Sequence, residues 1–277
     1  MSQPLPPILP SAPEVSIETS ARRFPDRDLA DAFNAGVSFR DDMCLPIGGW
    51  PRCPDENTYN EGKIDPENGD TPVFLPWTIY APVKCDGGLV NPDELFESGR
   101  QSLAAKRPYA IAREVWTGAI SGSVSLQSAA VDVSASSPTS AKIAASTLIG
   151  NYRDATSGSQ AWLHVPDGLL HQLDDFVERK GDRLLTKTGD VVVPGPGYPS
   201  NAGNWGPEGA ATGADDAWMY VTGPVELAVG PVYELGSGTT PTGSFARMNR
   251  HVLYVEQDAI FRFPPCAVFA VKVNKGL

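Results

Sequence analysis

Two histidines, and the carboxylates that follow one of them, are the first residues that could carry chemistry. His164 stands in the apolar run AWLHV, and His171 is followed by Asp174, Asp175 and Glu178. An imidazole titrates near neutrality, so a histidine facing a carboxylate can move a proton to or from a substrate. A plainer account makes His164 a packed strand residue and sets His171 on a solvated acidic helix face. No G-x-S-x-G elbow, H-E-x-x-H motif or Walker phosphate loop occurs to favour the catalytic account. The chain is expected to be no enzyme, with no cofactor and no metal.

Cys44, Cys53, Cys85 and Cys266 lack the paired C-x-x-C spacing and the neighbouring histidine that a zinc site needs. No apolar run follows a basic start, so neither a secretory signal nor a disulfide framework is expected, and the thiols read as buried ones in a reducing compartment. Tyr198, Trp205 and Trp218 flank a glycine- and proline-rich loop, where aromatics can stack on a sugar or can plug a sheet edge. The net charge of -11 argues against a surface that grips nucleic-acid phosphates, since that affinity comes from Lys and Arg. No apolar stretch approaches the roughly 20 residues of a membrane-spanning helix.

The elements that must hold these residues are clearer than the chemistry. Asn91 to Gly118 has one helical period and both ends marked: Asn91 as cap, Pro92 at the first helical position, Glu94 reaching back, and Gly118 closing. Leu95, Phe96, Leu103, Ile111, Val115 and Trp116 share a broad apolar face. At about 1.5 Å per residue this spine is roughly 40 Å long, with Pro108 kinking it or removing one hydrogen bond.

Ahead of the spine, residues 1–40 read as an extended arm with a short helix at Asp26 to Phe33. Residues 41–75 read as an extended loop carrying Trp50 and Tyr59, of a length that is usually functional or intermolecular. Val73 to Cys85 is an edge strand broken by prolines. After the spine, 119–138 is a short strand or a loop, and a second helix carries Ile143, Ala144, Leu148 and Ile149. AWLHV is a buried strand; Pro166 opens a helix through Leu169, Leu170, Leu173, Phe176 and Val177 that Gly181 ends; RLLTKTGDVVVPG gives two strands. AWMYVTGPVELAVGPVYEL gives two strands broken at Gly223 and Pro224, and the C-terminal run gives strand, turn, strand. The last strand is expected to return to the domain of the spine helix.

This order of arm, long loop, strand, spine helix, strand-and-helix body and terminal NR…VEQDAIFRFPPCAVFAV resembles the major capsid proteins of tailed bacteriophages, the Hong Kong 97 fold type. The parts that carry the resemblance are Asn91 to Gly118, Trp162 to Val193, and Arg250 to Val273 with its FPPCAVF end. Encapsulins and some minor head proteins share the architecture. The resemblance implies an α+β chain with an arm (1–40), an extended loop (41–75), a spine-helix or peripheral domain (76–136 and 246–277) and an axial domain (137–245). It implies a virion subunit, assembled in the host cytoplasm, that forms hexamers and pentamers with itself around double-stranded DNA without sequence-specific contact. Portal, scaffold or decoration proteins would be its further partners, and no membrane is involved. Assembly would draw on the spine-helix face, on Trp50 and Tyr59 of the loop, and on Tyr198 and Trp205 of the axial loop. The alternatives are a minor head, tail or decoration protein, to which the aromatic loop from Gly195 to Asp216 points, and an encapsulin-like compartment shell.

Overall fold

The computed structural model describes residues 15–24, 29–38, 72–86, 92–235 and 250–276. The spine helix, α3 (Pro92–Thr117), runs unbroken through Pro108. Asp93 and Glu94 sit in its first turn, where negative charge meets the positive end of the helix dipole. Gly118, at φ +60°, ends it in a conformation that costs glycine nothing. Phe96, Leu103, Ile111, Val115 and Trp116 are buried as the period requires, and Leu95 is half-buried against the same core. Pro108, which has no N–H to give, is carried inside the helix, because one lost hydrogen bond is small beside the tertiary packing of this face.

Among the described residues the strands form three sheets. The first is ordered β1 (Arg22–Arg23), β11 (Glu226–Leu235), β12 (Arg250–Arg262), β4 (Trp77–Asp86), with β1 parallel to β11 and the rest antiparallel. The second is ordered β5 (Val131–Asp132), β13 (Phe269–Asn274), β10 (Asp216–Thr222), β6 (Trp162–Pro166), β9 (Val191–Gly195), β8 (Arg183–Thr186), β7 (Val177–Lys180). A short pair, β2 (Val37–Ser38) with β3 (Val73–Phe74), makes the third.

The second sheet is covered on both faces, which is why its central strands read as near-continuous apolar runs. Trp162, Val191, Val193, Trp218, Tyr220 and Ala270 point into the core shared with α3 and the first sheet. Their neighbours Leu163, Val192, Ala217, Met219, Val221 and Val271 point the other way, onto α5 (Ala141–Ala155). This is the period-2 alternation of a strand, with a helix waiting on each side. The chain passes from the first sheet to the second through α3, returns at Gly223–Pro224 and passes over again at Pro264–Pro265, and the last two crossings touch: a Cβ on Gly223 would lie 2.7 Å from Pro264 Cγ.

The last strand, β13, lies in the second sheet, parallel to β5 of the segment 76–136 on one side and antiparallel to β10 on the other. Other expectations are corrected. The helix expected from Pro166 to Gly181 is a 3-10 stretch, Asp167–Leu173, followed by the hairpin β7–β8 turning at Gly181 (φ +66°). The segment after the spine holds a one-turn helix, α4 (Leu126–Ala129), as well as β5. Within 1–40, a short helix was expected at Asp26 to Phe33 and α2 (Leu29–Ala35) lies there; α1 (Ile17–Ser20) was not expected, and the described residues of this segment fold onto the body, burying Ile17, Phe24 and Ala32. Arg107 of α3 fixes this segment by pairing with Glu18, and also donates to Gln257 Oε1 at 3.0 Å.

Helix α5 offers an internal test of which residues hold the second layer. Leu148 is fully buried, whereas Ile143, at the same apparent helical spacing, is 59% exposed. Leu148→Ala is expected to cost about 2–5 kcal/mol in urea unfolding and Ile143→Ala less than about 0.5 kcal/mol. Equal losses would show that the face has been misassigned.

Candidate functional site

The acid–base candidates separate once placed. His164, on β6, is fully buried between Tyr198 Oη at Nδ1 and Thr222 Oγ1 at Nε2, both 2.8 Å away. Thr222 gives its own proton to the Gly223 carbonyl at 2.7 Å, so its oxygen accepts from His164 Nε2–H. Nδ1 is left to accept the Tyr198 hydroxyl proton. Burial lowers the His164 pKa to about 3 and pushes that of Tyr198 well above its usual value, so the pair is neutral near pH 7. With every polar atom satisfied inside the sheet, this imidazole is a strut rather than a base.

His171 is exposed on the 3-10 stretch. Of the carboxylates near it in sequence, Asp175 accepts from Lys142 Nζ at 2.9 Å, and that bond holds its pKa below the ordinary range. The geometry brings no His–carboxylate dyad together at either position. Among the described residues no group of three His, Cys, Asp or Glu side chains stands close enough to hold a metal ion. Cys266 departs from the expectation of a buried thiol, being exposed and disulfide-bonded.

The loop aromatics turn inward. Tyr198 is buried, and its ring lies 4.9 Å from that of Trp116; Trp116 also meets Tyr220 edge-on at 4.5 Å. Trp116 Nε1 and Tyr220 Oη both donate to the Trp205 carbonyl, at 3.0 and 2.9 Å, and the Arg113 guanidinium lies 4.1 Å over the Trp205 ring. A Cβ on Gly197 would overlap the Tyr109 carbonyl oxygen of α3, so only glycine lets the loop lie this close. Tyr198 and Trp218 are buried and Trp205 is half-buried with Arg113 over its ring, so these three aromatics do not form an open stacking platform. The spine-face residues and Tyr198 are likewise interior to this chain, so any effect they have on assembly acts through shape. Trp50 and Tyr59 lie outside the described residues.

Among the described residues, one face of the first sheet carries a group of exposed apolar side chains. In register across it stand Tyr80, Glu256 and Tyr233, and beside them Pro82, Tyr254 and Leu235. Tyr80 is 61% exposed, Tyr233 49% and Leu235 42%, and the Tyr80 and Tyr254 rings are 6.2 Å apart. The other face carries Val83 and Val255 against Gly99 of α3. Sequence reasoning passed over this surface, although its signal was present: in TIY, LYVEQ and VYEL the aromatics alternate with the core positions and so must face outward.

His164 also generates a pH test. Its folded pKa lies below the ordinary imidazole value of 6.5, so the unfolded chain takes up a proton first as pH falls. Its contribution is therefore complete above about pH 6.5 and is lost progressively toward about pH 3. His164→Gln is expected to make the stability–pH curve shallower by up to about 1.4 kcal/mol per pH unit across that window. An unchanged slope would contradict the buried neutral strut.

No family model matches the chain, and no curated protein matches it in sequence. Solved structures do match it. One from Gordonia phage Cozz is 12% identical with a TM-score of 0.50, covering 93% of this chain and 85% of that one. One from Mycobacterium phage Che8 is 11% identical with a TM-score of 0.50, covering 100% and 99%. The holo-SrpI encapsulin complex from Synechococcus elongatus PCC 7942 is 9% identical with a TM-score of 0.51, covering 75% and 78%. At such identities the likeness is one of fold, and it is the fold class that was expected, α+β of the Hong Kong 97 type. The chain has the Hong Kong 97-type fold of phage capsid structures.

Proposed function

We propose that this chain is a structural subunit of an icosahedral virus capsid, assembling with itself into hexamers and pentamers that enclose double-stranded DNA. The observation that carries the reading is coverage: the phage structures match 93% and 100% of the chain, whereas the encapsulin matches 75%. A compartment shell shares the body of the fold, and is the second reading for that reason. The absence of a site among the described residues fits a role in which the product is a lattice. Each subunit contact can be weak, because many repeated contacts close a shell. In this reading the first sheet and spine helix form the peripheral part and the second sheet the axial part. The net charge of -11 suits a wall that lies beside DNA without binding it. Portal, scaffold or decoration proteins would complete the particle, in the host cytoplasm and then in the virion. No described helix is long and apolar enough to cross a membrane.

The test is to express the chain with its neighbouring gene products and follow it by size-exclusion chromatography and negative-stain electron microscopy. Closed shells, or rings of five and six, are the expected result. A monomer or trimer at every concentration and salt would overturn the proposal, and particles filled with protein and free of DNA during infection would favour the compartment shell.

A further inference from the structure

The C-terminal end of the spine helix holds an ionisable group in an expensive place. Glu114 is 1% exposed, one turn before Gly118, where the helix dipole already places negative charge. Among the described residues no cation pairs with it. Its carboxylate instead accepts from the loop that follows the helix: Ile120 N–H at 3.1 and 3.2 Å, Ser121 N–H at 2.8 Å and the Ser121 hydroxyl at 2.7 Å. Burying a carboxylate costs several kcal/mol unless such donors surround it, so the loop must keep this shape for the carboxylate to stay there. Gly118 helps to close the turn, since a Cβ there would overlap the Ser123 carbonyl oxygen.

The network does not stop at the loop. The Ser121 and Ser123 hydroxyls are 2.7 Å apart, and Ser123 Oγ accepts the Leu75 N–H at 2.8 Å. A hydroxyl has one proton, and that of Ser121 goes to the carboxylate, which can only accept. The short contact between the serines is therefore filled by the proton of Ser123, in preference to its 3.3 Å approach to the Leu75 carbonyl. The result is a one-way chain from Leu75 N–H through Ser123 and Ser121 to Glu114. Leu75 lies between β3 and β4, on the stretch through which the chain enters the first sheet, 39 positions before Glu114.

We propose that Glu114 is a positioning residue for assembly: through Ser121 and Ser123 it clamps the entry to β4 onto the end of the spine helix, fixing the angle between them. The assembly part rests on the capsid reading above; the clamp itself does not. Leu75 is 40% exposed and Ile120 69%, so both clamped segments carry apolar side chains at the surface, where a loose backbone would blur the shape presented to other subunits.

The experiment compares Glu114→Gln and Ser123→Ala with Thr117→Val, whose hydroxyl donates to the Arg113 carbonyl and accepts the Ala119 N–H at 3.3 Å in the same turn but lies outside the chain of bonds from Leu75 to Glu114. Amide hydrogen exchange is measured on the unassembled protein, and shell formation by light scattering. Ser123→Ala is expected to speed exchange at Leu75 by about tenfold or more while Ile120 and Ser121 stay protected, and Glu114→Gln to expose all three. Both are expected to slow shell formation several-fold with core amides unchanged, and Thr117→Val to alter neither readout. Unchanged exchange at Leu75 in Ser123→Ala would overturn the clamp, and normal assembly in both variants would overturn its positioning role. If the wild-type chain forms no shell, the capsid reading fails, and the exchange data still decide for or against the clamp.

Discussion

One helix has to satisfy two sheets. Toward its N-terminal end α3 lies so close to the first sheet that only Gly99 fits against Val83 and Val255. Toward its C-terminal end it presents Ile111, Val115 and Trp116 to a core that includes Val191, Val193 and Tyr220 of the second. Ile17 of α1, Phe74 of β3 and Leu126 of α4 complete the same core. A large side chain such as Trp116 is worth about 3–5 kcal/mol against a total stability of roughly 5–15, so the position of both sheets hangs on a few residues of one rod.

The remaining polar interior follows from that arrangement. Where the second sheet meets the helix, a flexible loop must lie flat, and it is fixed by Tyr198 bonded to His164 and by the Trp205 carbonyl taking two donors. Behind the sheet, buried Asp190 accepts from Arg153 of α5 at 2.9 Å and from the Ala161 N–H at 3.1 Å, tying the outer helix to the β8–β9 turn. Groups that could have served catalysis are thus consumed in holding a shape. Among the described residues, the outer face of the first sheet carries the exposed side chains Tyr80, Tyr233 and Leu235.

Sequence made the local parts of this legible. The spine was readable within a residue at each end because Pro92 and Gly118 mark its start and its end, and β6, β9 and β10 were readable because both of their faces are apolar. What depended on distant partners was not. Alternation shows that Ala270, Val271 and Val273 belong to a buried strand but not to which sheet. The spacing of Leu169, Leu173, Phe176 and Val177 fits a helix as well as a 3-10 turn running into a hairpin, and Gly181 can end the one or turn the other. Trp205 near glycines looks the same whether it faces solvent or Arg113. The Glu114 network had no sequence signal, since it joins Leu75 to a serine 48 residues away.

The central claim is that the two sheets, fixed to one helix, take different places in a closed lattice. A cryo-electron microscopy reconstruction of assembled particles tests it most directly. The account expects the second sheet beside the five- and sixfold axes, and the spine helix with the first sheet forming the wall between neighbouring rings. Particles in which the second sheet lies away from every such axis, or in which the two sheets change their relation to α3 from subunit to subunit, would contradict it.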